Sequence, residues 1–196
     1  MASFETVQRK WDTRYQQEDV SSEPSKNLLE NAHLLPAKGM ALDLACGLGG
    51  NALFLAKQGL DVSAWDISSV AIKTLDNAAQ KMGVTLNLEV CDVEQKRWEQ
   101  SQFDVIVVSH FLERSLCKNI SSALKIGGLL YYQTFVNDKV ADVGPRNPDF
   151  LLEQNELLRL FASLKVVVYR EEGCIGDIGK GFRNEALLVA QRINLD

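Results

Sequence analysis

The chain has 196 residues, 46% hydrophobic and 24% charged, with 21 Lys and Arg against 26 Asp and Glu for a formal net charge of -5. This balance suits one soluble domain with a sizeable core; it excludes disorder as the main state and speaks against a general nucleic-acid binder, which needs a clustered basic surface. The longest apolar runs, such as Val105-Ile106-Val107-Val108, fall far short of the roughly 18 residues of a membrane-spanning helix.

Residues 4–17 read as a mostly polar flanking helix. Pro24 interrupts, and residues 25–35 read as a second helix with apolar Leu28, Leu29, Ala32 and Leu35, stopped by Pro36 and Gly39. A regular alternation follows. Residues 40–46 are a strand, 51–58 a helix closed by Gly59, 61–66 a strand, and 69–82 a helix closed by Gly83. Strands are expected at 85–90 and 103–109, a helix at 116–125, a strand at 129–135 and a helix at 149–161. The last two strands are expected at 164–169 and 185–191.

Alternating strands and helices imply an α/β fold with a mostly parallel seven-stranded sheet and helices on both faces. The runs 105–108 and 166–168 are continuously apolar, as buried parallel strands tend to be. The stretch 171–183 is too polar and glycine-rich for a helix, so the last two strands are expected to pair antiparallel at or near one sheet edge. In open sheets of this kind, ligands bind outside the carboxyl ends of the strands, here after Cys46, Asp66, Val90, Ser109 and Phe135.

The segment ALDLACGLGGNALFLA carries the most information. A strand runs into Gly47-Leu48-Gly49-Gly50, and a helix opens near Asn51. Glycine lets the chain turn sharply and lets a ligand approach bare backbone, while the helix start offers free N–H groups. The stretch also fits G-x-G-x-x-A, so a dinucleotide reading stands beside others. Asp66, at the end of the second strand, suits a ribose diol under either reading, since its two oxygens can accept from adjacent hydroxyls. Asp43 discriminates better. It interrupts an apolar strand where dinucleotide folds usually carry an apolar residue, and a carboxylate there suits a cationic ligand without phosphate. Its alternative role is to accept backbone N–H groups of the glycine loop.

These residues together resemble motif I of the class I S-adenosylmethionine-dependent methyltransferases, D/E-x-G-x-G-x-G. Asp43, Gly47 and Gly49 match, and Ala45 stands where that family usually has its first glycine. Further landmarks fall in family order: Asp66 with Ile67, Asp92 with Val93, Phe103-Asp104-Val105-Ile106, and Leu124-Lys125-Ile126-Gly127-Gly128 with Ile126 in place of proline. The resemblance covers residues 40–191. It implies a Rossmann-like domain over residues 40–196, capped by a helical segment, residues 1–39, in one compact unit. It also implies S-adenosylmethionine as cofactor and S-adenosylhomocysteine as product, with Asp66 on the ribose, Asp92 at the adenine amino group and Val93 offering backbone N–H. Trp11-Asp12-x-Arg14-Tyr15, with Asn51 after the glycine loop, resembles the smaller tellurite-resistance and thiopurine-type branch. That likeness implies an N-terminal segment over the cofactor, with Trp11 and Tyr15 at its methionine end. The cofactor-binding set is therefore Trp11, Tyr15, Asp43, Ala45, Gly47, Gly49, Asn51, Asp66, Ile67, Asp92, Val93 and Ser109.

Methyl transfer is an in-line displacement at carbon, which needs a positioned nucleophile and needs a base only where that nucleophile must lose a proton. Catalytic residues are not named by the sequence; His110, Arg114 and Arg146 are candidates. His110 can act as base, donor or wall of the cofactor site. Arg114 can bind an anion or pair with a carboxylate, and Arg146 lies in the proline-stiffened loop 137–150. The four-glycine stretch 173–182 is expected to move and to border the pocket. The Asn/Asp-Pro-Pro-Tyr motif that receives a flipped base is replaced by Ser109-His110-Phe111-Leu112, which favours a small-molecule acceptor over nucleic acid. The alternatives are an NAD(P)-dependent oxidoreductase, for which no Tyr-x-x-x-Lys pair is present, or a non-catalytic cofactor-binding module of the same fold.

Cys46, Cys91, Cys117 and Cys174 form no C-x-x-C pair, and with only His33 and His110 no zinc spacing arises, so no metal is expected. The cysteines read as reduced, small buried hydrophobes. Residues 1–10 are charged and lack an apolar leader run, so a cytoplasmic setting without membrane contact is expected, as monomer or dimer.

Overall fold

The computed structural model describes residues 3–16 and 23–194. Its middle layer is one sheet of β1 (Met40–Leu44), β2 (Asp61–Asp66), β3 (Asn87–Val90), β4 (Phe103–Ser109), β5 (Leu124–Phe135), β6 (Lys165–Glu171) and β7 (Glu185–Gln191). The spatial order is β3-β2-β1-β4-β5-β7-β6. The first five strands are parallel, and β7 lies antiparallel between β5 and β6. The order reverses direction between β1 and β4, which opens a crevice at their carboxyl ends.

The helices are α1 (Phe4–Tyr15), α2 (Lys26–Glu30), α3 (Gly50–Lys57), α4 (Ser69–Met82), α5 (Cys117–Ala123) and α6 (Glu156–Leu160). Side chains alternate across a strand, so the sheet has two apolar faces. On one, Ala41, Val62, Val105, Val107 and Val189 pack against Leu28 of α2, Ala52 and Leu55 of α3, and Leu75 of α4. On the other, Leu42, Leu44, Ile106, Val108 and Leu188 meet Ile120 of α5 and Leu157 of α6. Val105 to Val108 have no exposed surface, as expected of a central parallel strand.

Several expected elements differ, each for a local reason. The second helix stops at Glu30 and resumes as a 3-10 turn, Ala32–Leu34. Asn31 intervenes: its side chain donates to Asn27 O at 3.0 Å, and its carbonyl accepts from Tyr131 Oη at 3.1 Å. The helix expected at 116–125 ends at Ala123. Leu124 already pairs with Phe103, so β5 starts five residues before the expected 129, with a register shift at its start. The helix expected at 149–161 shrinks to α6. Leu152 instead extends the sheet, donating its N–H to Phe135 O and accepting from Asn137 N, both at 2.9 Å. The run 166–168 is not a buried parallel strand. It lies in the antiparallel edge strand β6, bulged between Val166 and Val168, and Val166 and Val167 are exposed. A continuous apolar run does not encode which strand will lie outside it. Cys174 is likewise exposed rather than buried; its thiol donates to Asp138 Oδ1 at 3.0 Å.

Candidate functional site

β1 delivers Asp43 to the glycine loop, and the chain then turns through Ala45 at φ 53°, Gly47 at φ 52° and Gly49 at φ 77°. Gly49 is the residue before α3 and has no side chain to cap it. Asp43 supplies that function from the neighbouring strand: its Oδ2 accepts from Ala52 N at 2.9 Å, and Asn51 Nδ2 donates to Oδ1 at 3.4 Å. Asn51 Nδ2 also donates to Ser109 Oγ at 3.0 Å, and its Oδ1 accepts from Ser25 N at 2.8 Å. The tips of β1 and β4 and the start of α2 are thereby tied through one amide. Asp43 thus accepts a backbone N–H from α3 and not, as expected, from the glycine loop, whose Gly47 N donates to Asp66 instead.

Asp66 closes the other side of the loop. Its oxygens accept from Gly47 N and Ser68 N, both at 2.8 Å. Both carboxylates are almost wholly buried, and neither has a Lys or Arg partner among the described residues. Burial pushes Asp43 up to about 8, against the Ala52 and Asn51 donors; the negative charge of Asp66 adds to the rise. Asp66 is raised too, by burial first, against the N–H groups of Ser68, Gly47 and Ile67. A site with two under-compensated carboxylates beside glycine backbone invites a cation and repels phosphate.

Helix α1 crosses the mouth of this loop. Asp12 accepts from Ser68 Oγ at 2.6 Å, Ser69 Oγ at 3.2 Å and Val70 N at 3.2 Å, so it sits at the start of α4. Burial opposes its ionisation, yet the Ser68, Val70 and Ser69 donors outweigh this and hold it below the usual carboxylate range. Gln8 Nε2 donates to Ile67 O at 3.0 Å. Tyr15 stacks on Trp11 at 5.8 Å and covers Gly47, where a Cβ would lie 2.8 Å from the Tyr15 hydroxyl. Burial, followed by the charges of Asp66, Cys46 and Asp43, raises the Tyr15 phenol. Asp92 folds back on its own turn, accepting from Glu94 N at 3.0 Å and Gln95 Nε2 at 2.8 Å. Val93 is buried, and its carbonyl accepts from Trp98 Nε1 at 3.2 Å.

A family model described as "Tellurite resistance protein TehB" matches residues 9–188. The chain belongs to the TehB family. Among curated relatives, "Probable S-adenosyl-L-methionine-dependent methyltransferase TehB" from Haemophilus influenzae is 28% identical over 151 residues, 73% of this chain and 51% of that protein. "Ubiquinone biosynthesis O-methyltransferase" from Coxiella burnetii is 31% identical over 98 residues, 47% of this chain and 42% of that protein. The chain spans about half the length of these curated relatives. The solved TehB structure from H. influenzae superposes with a TM-score of 0.70 at 20% identity, covering 94% of this chain and 66% of that one. An S-adenosylmethionine-dependent methyltransferase from Mesorhizobium loti gives 0.68 at 18% identity, covering 88% and 100%. The fold is that of the class I methyltransferases.

On the other side of the crevice in this TehB-family chain, the three candidates separate. His110, at φ 54°, follows β4; its ring stacks on Phe135 with centroids 4.9 Å apart, and Nε2 lies 3.1 Å from Glu185 Oε1. Arg114 is a structural clamp. Nε and Nη2 donate to Glu156 at 2.7 and 3.0 Å, and its remaining donors reach Asp149 O at 2.6 Å and Leu151 O at 2.9 Å. Arg146 is solvated and paired with Asp142 at 2.5 Å. The glycine-rich stretch 173–182 is laced by Arg183, which donates to the carbonyls of Glu172, Gly173, Asp177 and Lys180.

Sequence reasoning passed over Glu185 and Gln133, and quoted Asp12 only within its motif, without a role. Each is a polar residue at the tip of an apolar strand or on a helix facing the crevice, which is the signal that marks them. Among the described residues, no group of His, Cys, Asp and Glu could hold a metal ion, and no helix is long and apolar enough to cross a membrane.

Proposed function

We propose that this chain is an S-adenosylmethionine-dependent methyltransferase that acts on a small soluble nucleophile by in-line transfer. The observation that carries this reading is the pair of buried carboxylates, Asp43 and Asp66, without Lys or Arg partners among the described residues, on either side of a glycine-rich turn. The residues present fit that group. Asp66 would take the ribose hydroxyls, with Ile67 alongside. Asp43, Asn51 and Ser109 would face the cationic methionine end, and the backbone of Ala45, Gly47 and Gly49 would approach it closely. Asp92 and Val93 would border the adenine. Trp11 and Tyr15, on the N-terminal cap, would cover the methionine end. When bound, the cofactor supplies an already activated methyl group, so the chain's own work is to hold and orient the two reactants, worth roughly 7–11 kcal/mol.

The dinucleotide alternative fits poorly, because two carboxylates flank the position that a pyrophosphate would occupy. Calorimetry of the full chain against S-adenosylmethionine and S-adenosylhomocysteine, beside fluorescence titration with NADH and NADPH, tests the reading. Binding of the two S-adenosyl ligands and not of the nicotinamide ligands is expected; binding of the nicotinamide ligands alone overturns it. Release of S-adenosylhomocysteine across thiols, phenols, halides and chalcogen oxyanions then separates an enzyme from a binding module of the same fold.

A further inference from the structure

Glu185, the first residue of β7, reaches His110 at the tip of β4 because β7 runs antiparallel to β5 and so starts at the crevice edge of the sheet. Its other oxygen, Oε2, accepts from Gln133 Nε2 at 2.6 Å, and Gln133 Oε1 accepts from Asn27 N at 2.7 Å. Gln133 and Glu185 are thus locked into the sheet and into α2. The imidazole is held on its face by Phe135, and Gly144 closes against Phe135 so tightly that a Cβ there would lie 2.5 Å from the ring. Nδ1 has no hydrogen-bond partner among the described residues, and the side chain keeps 47% of its exposure. The preceding residue, Ser109, is joined through Asn51 to Asp43. A non-glycine residue at φ 54° is strained, and such strain concentrates where a side chain must be aimed.

We propose that His110 and Glu185 form a proton-accepting dyad, and that the methyl acceptor is therefore a protic nucleophile, a hydroxyl or thiol, rather than an anion with its lone pair already free. The inference rests on the methyltransferase reading above. Glu185 accepts Nε2–H, which leaves the Nδ1 lone pair free. As the acceptor's oxygen or sulfur forms its bond to the methyl carbon, Nδ1 takes the acceptor's proton. The bond between that carbon and the sulfonium breaks, and its electron pair stays on the sulfur as a neutral thioether. The imidazolium, paired with the Glu185 carboxylate, then returns its proton to water. His110 is the catalytic residue and Glu185 its positioning residue.

Two measurements on the full chain test this. The first is long-range nitrogen–proton correlation NMR of the His110 ring at pH 8, without cofactor. The expected tautomer carries its proton on Nε2, and Glu185→Leu, which leaves no acceptor there, is expected to abolish that preference. A proton on Nδ1, or a tautomer indifferent to Glu185→Leu, overturns the dyad. The second compares phenol, which holds its proton at pH 8, with thiophenol, which has largely lost it. In His110→Gln, turnover of phenol is expected to fall ~10²–10⁴-fold, as for loss of a general base, and to fall at least about 10²-fold further than turnover of thiophenol. Equal losses on the two acceptors, wild-type turnover of thiophenol but not phenol, or turnover of neither, overturn it. Failure to bind S-adenosylhomocysteine in calorimetry removes the methyltransferase reading itself, whereas normal binding with the wrong tautomer removes the dyad alone.

Discussion

Asp43 occupies a position in β1 where an aliphatic side chain would bury at less cost. Its carboxylate caps α3, yet burial leaves it ionising only near 8. A carboxyl raised above its unfolded value of 3.8 stabilises the fold at low pH, and that contribution is lost as the pH climbs from about 4 through about 8. The cofactor-free chain should therefore melt earlier at pH 8.5 than at pH 6. In Asp43→Asn, which cannot ionise, this particular loss should vanish and the apo protein should gain about 1–2 kcal/mol at pH 8.5, read as a rise in Tm of several degrees. The same variant should bind S-adenosylhomocysteine roughly 10–100-fold more weakly, the worth of a charge-assisted contact, in calorimetry at the same pH. A variant that is both less stable and undiminished in binding would contradict this account. Gly49 is a simpler case. Its φ of 77° disfavours any Cβ, and one there would lie 2.2 Å from Leu75 of α4. Gly49→Ala should cost about 2–4 kcal/mol in denaturant unfolding, since strain and overlap add.

Helix α1 buries none of its residues, so its position depends on polar anchors rather than on an apolar face. Asp12 at the start of α4 is the main one, with Gln8 and Tyr15 beside it. The lowered acidity range of Asp12 means that its contribution persists above the unfolded value and disappears only as the pH falls through the folded one. Asp12→Ala should therefore loosen α1 at neutral pH by about 0.5–2 kcal/mol, the cost of a lost helix cap. Faster hydrogen exchange confined to α1 and the first turn of α4 is the expected signature; uniform exchange across the chain would argue that α1 is held some other way. Elements with an apolar face behave differently. α3, α4 and β4 sit close to their expected bounds because local signals mark them: Gly59 and Gly83 end the two helices, and β4 holds a continuous apolar run; the structure adds Ser68 as the N-cap of α4.

Across the whole molecule, the carboxyl ends of the strands are tied together by residues far apart in the chain. Asn51 joins α3, β1, β4 and the start of α2; Gln133 joins α2, β5 and β7; Arg114 joins the segment after β4 to the one before α6. Arg114→Ala should leave the buried Glu156 with only the Glu153 N–H as a hydrogen-bond donor and lower stability by roughly 2–3 kcal/mol in chemical denaturation, while S-adenosylhomocysteine affinity stays within about twofold. A selective loss of binding without loss of stability would place Arg114 at the ligand instead.

Much of the α/β order could be read directly from residues: a helix of residues 69–82 stopped by Gly83, strands alternating with helices along the chain, and a glycine turn between the first strand and the helix after it. Asp43 and Asp66 were legible for the same reason, as charges in places where burial is costly. These signals are local, so one sequence contains them. The edge position of β6, the early start of β5, the extension of the sheet by Leu152, the capture of Arg114 by Glu156 and the meeting of His110 with Glu185 are not local. They depend on which strands become neighbours and in which direction, and contacts between residues 75 apart leave no periodic trace in the chain that makes them.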